Sequence, residues 1–409
     1  MTNAKHSVKA VSGAIVALAL TLGLAPQAVA AESAPVADGT IRIDGPEFAR
    51  PSGPVTAGRR QGRASTPIDD LDAERQKRPE IYGFTPLPTD VAVVPGEFEP
   101  VGQTLIAWTI NDDTDSTTRT YFIDLIRAVS SNSRTLVVGG YAGAAQHART
   151  TLTQAGVDTS KIEFMERNLD SWWMRDYGPI AARRTDGSKR FIHTRYYQDR
   201  LNDDALATGL ANQWNIPISR PKLESEGGNF QSDGAGGCIV TNDVLNRPLN
   251  LTNQLTAADL RDMFGKLYGC RTTTILDPIK GEGTGHVDMF ATFTGKRDVL
   301  VGAYDPKDDP ENAKVLDGNA DRLTAAGYQV HRIPMPGHGD DTYRSYTNSL
   351  AVNDAVLVPV YTDDTAHERE AMDAYRAAYP NRKIVPIDAT SIIKSAGAIH
   401  CTTMTISKL

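Results

Sequence analysis

The sequence has 409 residues, a formal net charge of −7, and 40% hydrophobic and 23% charged residues. A mildly acidic chain lacks the basic surface that nucleic acid requires, so we expect no nucleic-acid partner. The same charge balance would tolerate a cationic substrate. The apolar content is sufficient for a large core.

The first 30 residues have the pattern of a secretory signal peptide. Lys5 and Lys9 form a basic start, residues 14–24 are apolar, and residues 28–30 (Ala-Val-Ala) resemble a cleavage site. We therefore expect cleavage after Ala30 and a secreted protein, whose formal charge becomes −9 because two lysines are removed. No later stretch approaches the ~20 apolar residues of a membrane-spanning helix, so we expect no membrane association after cleavage.

The sequence contains three cysteines, Cys238, Cys270 and Cys401. In an oxidising compartment an odd number leaves one outside intramolecular bridges. Cys238 and Cys270 are close in sequence and flank a predicted loop and helix, so they are the expected bridge. A thiol left outside a bridge in an exported protein is exposed to oxidation, and its presence indicates a use for Cys401.

Residues 31–93 are rich in Pro, Gly, Ala and charged residues, which predicts a poorly ordered arm or linker. From residue 94 to 409, alternating strand-like and helix-like segments predict one α/β domain. The predicted strands cover residues 104–108, 134–138, 189–197, 238–241, 299–302 and 355–360. The predicted helices cover residues 117–129, a segment ending at 153, 257–267 with Thr256 as N-cap, 313–326 and 366–378. No internal repeat is visible in the residue sequence.

Two motifs combine carboxylates with unusual neighbours. Trp172 and Trp173 precede Arg175 and Asp176, and aromatic faces beside a carboxylate suit a planar cation. The alternative is a surface ion pair beside core tryptophans. Further on, Glu226 stands next to a double glycine, which allows close approach of the backbone to a ligand. The alternative there is an ordinary hairpin turn.

His286 and Asp288 are two residues apart, so on a strand they would project from the same face. Histidine is the natural general acid or base near neutral pH. A metal site is the alternative, but the sequence has neither His-x-His nor His-Glu-x-x-His, and we rank it second and expect no metal.

Cys401 follows a run of small residues around Gly397 that favours a tight turn. A buried cysteine acting as a small hydrophobe is the alternative. If His400 and Cys401 lie on a strand, they face opposite ways, so His286 is the better base for the thiol. A thiol, a histidine, carboxylates and aromatic residues together fit covalent attack on a cationic guanidinium group.

Four motifs occur in the order found in the guanidine-modifying (pentein) enzymes, and the closest resemblance is to agmatine deiminases and bacterial-type peptidylarginine deiminases. They are Trp173-Met174-Arg175-Asp176-Tyr177-Gly178-Pro179, Glu226-Gly227-Gly228-Asn229, Gly285-His286-Val287-Asp288 and Ile399-His400-Cys401. The segment Pro95-Gly96-Glu97-Phe98-Glu99-Pro100 also resembles the start of the domain in that branch. The resemblance implies a five-bladed, pseudo-symmetric α/β propeller with a central active site.

The resemblance further implies a set of roles. Cys401 would be the nucleophile and His286 the acid and base. Asp176 and Asp288 would hold the guanidinium nitrogens, and Glu226 would orient the imidazole and favour its charged form. The implied substrate-binding residues are Trp173, Asn348 and Arg200. A cysteine thiouronium intermediate would form, and no metal, nucleotide or redox cofactor would be needed.

An export signal and Tyr177 resemble the peptidylarginine branch rather than the agmatine branch. Arg200 matches one of two arginines that bind the carboxylate of a C-terminal arginine in that branch, and Gln198 stands at the place of the other. The leading hypothesis is an exported protein-arginine deiminase, with agmatine or free arginine as alternative substrates. Two further alternatives are a zinc-dependent hydrolase and a non-catalytic propeller that binds cationic peptides. Calcium dependence and oligomeric state stay open.

Overall fold

A computed structural model describes the backbone of Ile41–Arg42 together with residue 73 and residues 75–408. The predicted signal peptide, its cleavage site after Ala30 and most of the predicted arm lie outside the described residues. Within the described part, the strands form five separate sheets, and none of these sheets closes on itself. The fold is mixed α/β, as the alternation of elements predicts.

The same three-strand unit occurs in all five sheets, and we call these units repeats 1 to 5. A first strand pairs antiparallel with a second strand, which pairs parallel with a third. A helix connects the second strand to the third, because parallel neighbours require a crossover connection. Sequence alone reveals no such period, since the repetition is in pairing and not in residue identity.

The bounds of the elements follow the chain. Repeat 1 combines the last strand of the chain with two early ones: Thr403–Ser407, Val101–Trp108, helix Ser116–Ser130 and Arg134–Gly139. Repeat 2 contains Ile180–Arg184, Lys189–Ile192, helix Leu201–Gln213 and Ile218–Ser219. Repeat 3 contains Gln231–Ser232, Gly237–Thr241, helix Ala257–Tyr268 and Thr272–Leu276. Repeat 4 contains Ala291–Phe293, Asp298–Ala303, helix Pro310–Ala325 and Gln329–Pro334. Repeat 5 contains Leu350–Val352, Ala355–Val360, helix Glu368–Ala378 and Lys383–Asp388.

Further elements extend two of the sheets or connect repeats. The sheet of repeat 1 is extended by strand Ile162–Glu166, which follows helix Ala144–Gln154, and then by strand Ile41–Arg42, which pairs with Ile162–Glu166. Strand Val91–Val93 pairs with the first strand of repeat 2. The short α-helices are Pro79–Tyr82, Met174–Tyr177 and Pro248–Thr252. The 3₁₀ turns are Thr159–Lys161, Gly227–Asn229, Asn242–Asn246, Val287–Met289 and Ile393–Ser395.

Local sequence explains where the helices begin and which face they bury. Thr256 caps the helix of repeat 3, because its hydroxyl accepts from the backbone N–H of Asp259 while the Asp259 carboxylate accepts in return. In repeat 1, Asp115 accepts from the backbone N–H of Thr118 at 2.8 Å. The buried face of that helix includes Tyr121, Phe122, Leu125, Ile126 and Val129. This stripe has the spacing expected of a helix that packs on a sheet.

The folded region begins before residue 94, where the predicted arm was expected to end. Tyr82 donates a hydrogen bond to the carbonyl of Leu201 at 3.1 Å, and Arg75 forms an ion pair with the buried Asp204 at 3.5 Å. Both contacts join the predicted arm to the helix of repeat 2. Residues 75–93 are therefore an integral part of this domain.

The predicted disulfide between Cys238 and Cys270 is present and joins strand Gly237–Thr241 of repeat 3 to the short connection between the helix and the third strand of that repeat. Cys401 is not part of a disulfide and is buried. Among the residues that the structure describes, no helix is both long enough and apolar enough to cross a membrane.

The structure differs from three expectations about strands. Asp288 lies in the 3₁₀ turn Val287–Met289, and His286 is the extended N-cap residue of that turn, so the two residues do not share a strand. His400 and Cys401 lie in a turn, and the strand starts only at Thr403. The strand predicted over residues 189–197 ends at Ile192. The argument that His400 must face away from Cys401 therefore fails.

Candidate active site

The candidate catalytic residues occupy equivalent places in the five repeats. Each lies directly ahead of the first strand of its repeat: Asp176 in repeat 2, Glu226 in repeat 3, His286 and Asp288 in repeat 4, Asn348 in repeat 5 and Cys401 in repeat 1. Loops at the same position of a repeated unit can converge even when they are far apart in sequence. The contacts among these residues show that the loops converge in this protein.

Cys401 is fully buried and has two polar neighbours. Its Sγ accepts a hydrogen bond from Asn348 Nδ2 at 3.0 Å and lies 3.4 Å from Asp288 Oδ2. Asn348 Oδ1 also accepts from the backbone N–H groups of Ala398 and Cys401, at 3.0 and 3.2 Å. Asn348 therefore fixes both the turn and the sulfur, and its amide donor would stabilise a thiolate.

The turn before Cys401 depends on two small residues. Ala396 has a left-handed φ of 63°. A methyl group added to Gly397 would lie 2.6 Å from Trp173 Cζ3 and 3.0 Å from Cys401 Sγ. Trp173 is itself fully buried, so in the structure its ring packs against this turn and helps to place the nucleophile.

His286 is held from two sides by carboxylates. Its Nε2 is 3.2 Å from Glu226 Oε2, and its Nδ1 is 3.7 Å from Asp176 Oδ1. All three side chains are buried. Glu226 is therefore placed where it can orient the imidazole, and opposite charge favours the protonated ring.

Gly228 lies where the loops that precede repeats 2, 3 and 4 meet. A methyl group added there would lie 2.5 Å from His286 Nδ1 and 3.0 Å from both Asp176 Oδ1 and Asp288 Oδ2. Two carboxylates and an imidazole therefore surround one backbone position. A planar cation with several N–H donors matches such a pair of carboxylates.

Arg247 is a site residue that the sequence analysis missed. It is buried, donates from Nη2 to Glu226 Oε2 at 2.6 Å and forms an ion pair with Asp243 at 3.1 Å. Although burial opposes the charge, Glu226 raises the pKa of the Arg247 guanidinium above its ordinary value. Arg247 and His286 therefore share one oxygen of Glu226.

Glu97 and Arg175 are two further site residues. The carboxylate of Glu97 binds the guanidinium of Arg175 and accepts from His400 Nε2 at 2.8 Å. Burial opposes ionisation of Glu97, but Arg175 and His400 outweigh it and lower the pKa of this carboxyl to about 2. The segment around Glu97 was noted for its resemblance alone. Its partners are so distant in sequence that no local pattern reveals them.

Arg200 lies beside two tyrosines. Its Nη1 donates to the Tyr196 hydroxyl at 3.0 Å, and its Cζ is 5.3 Å from the centre of the Tyr197 ring. Arg247 Cζ is 5.9 Å from the centre of the same ring. Tyr197 is thus flanked by two guanidinium groups, one of which belongs to the network around Glu226.

Within the described residues, no group of three or more His, Cys, Asp or Glu side chains is arranged to hold a metal ion.

Solved structures with this fold include two bacterial enzymes. The agmatine deiminase of Enterococcus faecalis matches with a TM-score of 0.69 and 23% identity, over 81% of this chain and 97% of that one. A protein of Porphyromonas gingivalis, provisionally named an arginine deiminase, matches with a TM-score of 0.67 and 21% identity, over 77% and 98% of the two chains.

Sequence comparison gives the same group of proteins. A Photobacterium profundum protein that carries the provisional name agmatine deiminase is 24% identical over 359 residues, which are 77% of this chain and 96% of that protein. The family model for Porphyromonas-type peptidyl-arginine deiminases matches residues 93–406. This match covers all five repeats apart from Ser407, the last residue of strand Thr403–Ser407, and it includes every candidate catalytic residue. The chain therefore belongs to the Porphyromonas-type peptidyl-arginine deiminase family, within the pentein superfamily.

Proposed function

We propose that this protein deiminates the guanidinium group of arginine in peptides or proteins, forming citrulline and ammonia through a covalent intermediate on Cys401. The observation that carries the proposal is the convergence of His286, Asp176 and Asp288 on Gly228, with Cys401 Sγ 3.4 Å from Asp288. A nucleophile and an acid–base group beside paired carboxylates are the parts that this reaction needs.

The proposed reaction has two halves. The Cys401 thiolate attacks the guanidinium carbon while Asp176 and Asp288 hold the planar cation in line. His286 protonates the departing nitrogen, the C–N bond breaks and ammonia leaves a thiouronium ester on sulfur. His286 then removes a proton from water, and the resulting hydroxide attacks the same carbon. The C–S bond breaks as the new hydroxyl group loses its proton to solvent, where the released ammonia takes it up as ammonium. A ureido product and the thiolate are released.

The charge around Tyr197 supports arginine over agmatine. Arg200 and Arg247 place two guanidinium groups around this ring. The main-chain carbonyl or carboxylate of an arginine residue would accept hydrogen bonds from such groups. The primary ammonium of agmatine would be repelled by them.

Agmatine is the second candidate substrate, because similar bacterial proteins carry the name agmatine deiminase. A substrate panel separates the two. Purified protein is incubated with a peptide containing an internal arginine, a peptide ending in arginine, free arginine and agmatine, and ureido product and ammonia are measured. We expect the highest kcat/KM with a peptide. Turnover of agmatine alone would overturn this choice of substrate.

Cys401→Ala is the matched control for the covalent mechanism. Loss of the nucleophile should lower kcat by more than about 10³-fold, and intact-protein mass spectrometry of quenched wild type should show an adduct that the variant lacks.

Full activity after exhaustive chelation would rule out the zinc-dependent alternative. Undiminished peptide binding by Cys401→Ala, with no ammonia from wild type, would favour a non-catalytic binding protein.

We also propose that the protein is exported after cleavage behind Ala30 and that its five sheets are the blades of a propeller. The basic, apolar and small-residue pattern of residues 1–30 supports export. The fivefold recurrence of one strand-pairing pattern supports the blade arrangement. N-terminal sequencing of protein recovered from the culture medium tests the first part, and a mature chain that starts at Met1 would contradict it.

A further inference from the structure

His400 lies between two carboxylates that are far apart in the sequence. Its Nδ1 is 2.8 Å from Asp288 Oδ2, and its Nε2 is 2.8 Å from Glu97 Oε2. His400 and Asp288 are buried. Asp288 belongs to repeat 4, and Glu97 lies on the segment that precedes the long strand Val101–Trp108. The imidazole therefore connects an N-terminal segment to the centre of the active site.

The contacts determine the protonation state of this ring. A neutral imidazole has one donor nitrogen and one acceptor nitrogen, whereas the imidazolium has two donors. An acceptor nitrogen facing an ionised carboxylate would bring two lone pairs together, so with both carboxylates ionised only the imidazolium satisfies both contacts. His400 is thus charged, and it cannot take up a further proton as a general base.

The charged groups around His400 have opposing effects. Arg175 donates from Nε to the carbonyl of His400 at 3.3 Å, and its guanidinium binds Glu97. Burial and Arg175 act against the imidazolium, and Glu97 and Asp288 favour it. The carboxylates prevail, so the pKa of His400 is raised above its ordinary value.

Asp288 receives its orientation from this contact. The same Oδ2 that accepts from His400 lies 3.4 Å from Cys401 Sγ. We propose that Glu97 is a positioning residue, which keeps His400 as an imidazolium and through it holds the ionised Asp288 beside the nucleophile. This inference rests on the proposed function in one respect, namely that Asp288 binds the guanidinium group of the substrate.

Histidine NMR tests the proposal without any substrate. The protein is labelled with ¹⁵N-histidine, the His400 signals are assigned by comparison with His400→Gln, and the ring nitrogens are followed from pH 5 to 9. In wild type both nitrogens should keep imidazolium shifts beyond neutral pH. In Glu97→Gln the midpoint should fall by about 1–3 pH units, the usual effect of losing an adjacent opposite charge.

Glu99→Gln is the matched control, because Glu99 lies two residues away and accepts from the backbone N–H of Gly96 at 3.0 Å. This variant should leave the His400 titration unchanged. If Glu97→Gln fails to fold, the wild-type spectrum still decides, since a His400 that titrates near its ordinary pKa would overturn the proposal. An equal shift in both variants would also overturn it.

Kinetics supply the second readout. For the substrate found most active, the alkaline limb of kcat/KM should move to lower pH in Glu97→Gln and stay in place in Glu99→Gln. A uniform loss of activity with an unchanged pH profile would reduce Glu97 to a structural residue and contradict the proposal. If the NMR result holds but wild type turns over no guanidinium compound, the positioning of His400 stands and the proposed function fails.

Discussion

Gly228 can carry no side chain in the geometry described, because a methyl group there would lie 2.5 Å from His286 Nδ1. Contacts below 3.0 Å force a shift, and His286 is fixed by Glu226. We therefore predict that Gly228→Ala lowers kcat/KM by at least about 10²-fold, as a displacement of about 1 Å at reacting groups does. Steady-state kinetics on the active substrate measure this change.

Gly318 provides the control for that substitution. It lies in the helix of repeat 4, and a methyl group there would meet no atom within 4 Å. Gly318→Ala should stabilise the protein by about 0.5–1 kcal/mol through helix propensity and leave kcat/KM unchanged. Equal losses of activity in both variants would contradict the role assigned to Gly228.

Arg247 should tune His286 through their shared oxygen of Glu226. In Arg247→Met the carboxylate of Glu226 loses one neighbouring cation, so it favours the protonated imidazole of His286 more strongly. We predict that the limb of the pH–rate profile set by His286 moves to higher pH by about one unit. Arg247→Lys keeps the charge and should show a smaller shift. A profile identical to wild type in Arg247→Met would refute the coupling.

The difference between the residues that sequence reasoning found and those it missed has a physical cause. Cys401, His286 and Asp288 carry chemistry that is recognisable one motif at a time. Glu97 and Arg247 act only through partners, and the partner of Glu97 lies 303 positions further along the chain. A lone charged residue in a loop gives no sign of such a partner.

At the scale of elements, the disulfide of repeat 3 should matter for stability and not for chemistry. It joins Cys238 and Cys270 across 32 residues, and closing a loop of that size should contribute about 3–4 kcal/mol by restricting the unfolded chain. Reduction, or the double change Cys238→Ala and Cys270→Ala, should lower the free energy of unfolding by about that amount. Urea unfolding with and without a reductant measures it.

Activity is the control for the disulfide prediction. Cys401 is outside the bridge, so the reduced but folded protein should keep its kcat/KM. Loss of turnover on reduction at a temperature where circular dichroism shows a folded chain would contradict this separation of roles.

Elements with strong local signals were predicted well, and those set by tertiary contacts were not. The helix capped by Thr256 was expected over residues 257–267 and is Ala257–Tyr268. A strand at His286 and Asp288 was considered because their two-residue spacing would place both side chains on one face. Asp288 lies instead in the 3₁₀ turn Val287–Met289, and the spacing of two residues carries no information about such a turn.

For the whole molecule, the five repeats were invisible in the sequence because the first and second strands range from two to eight residues. What recurs is the order of pairing, an antiparallel step followed by a parallel one. Pairing is a property of segments in contact, so periodicity in residue type does not report it.

Ion-paired carboxylates should make the folded state sensitive to acid. The pKa of Glu97 is about 2 in the folded protein, against about 4.3 in an unfolded chain. The stability that the ionised Glu97 contributes to the folded state is fully present above about pH 4.3 and is lost as pH falls through about 2. The difference corresponds to about 3 kcal/mol. We predict that Glu97→Gln is less stable than wild type at pH 7 and approaches it near pH 2, as measured by urea unfolding at both values.

The pairing of strand Thr403–Ser407 with Val101–Trp108 has a consequence for biosynthesis. During synthesis from the N-terminus at ~5–20 residues per second, Cys401 appears roughly 130 residues after Cys270. The two bridging thiols therefore meet before the third has been made, which limits wrong pairing of sulfurs. For the same reason the first strand of repeat 1 is missing until Thr403–Ser407 has been made, so a chain that stops before Cys401 has neither the nucleophile nor the complete sheet of repeat 1.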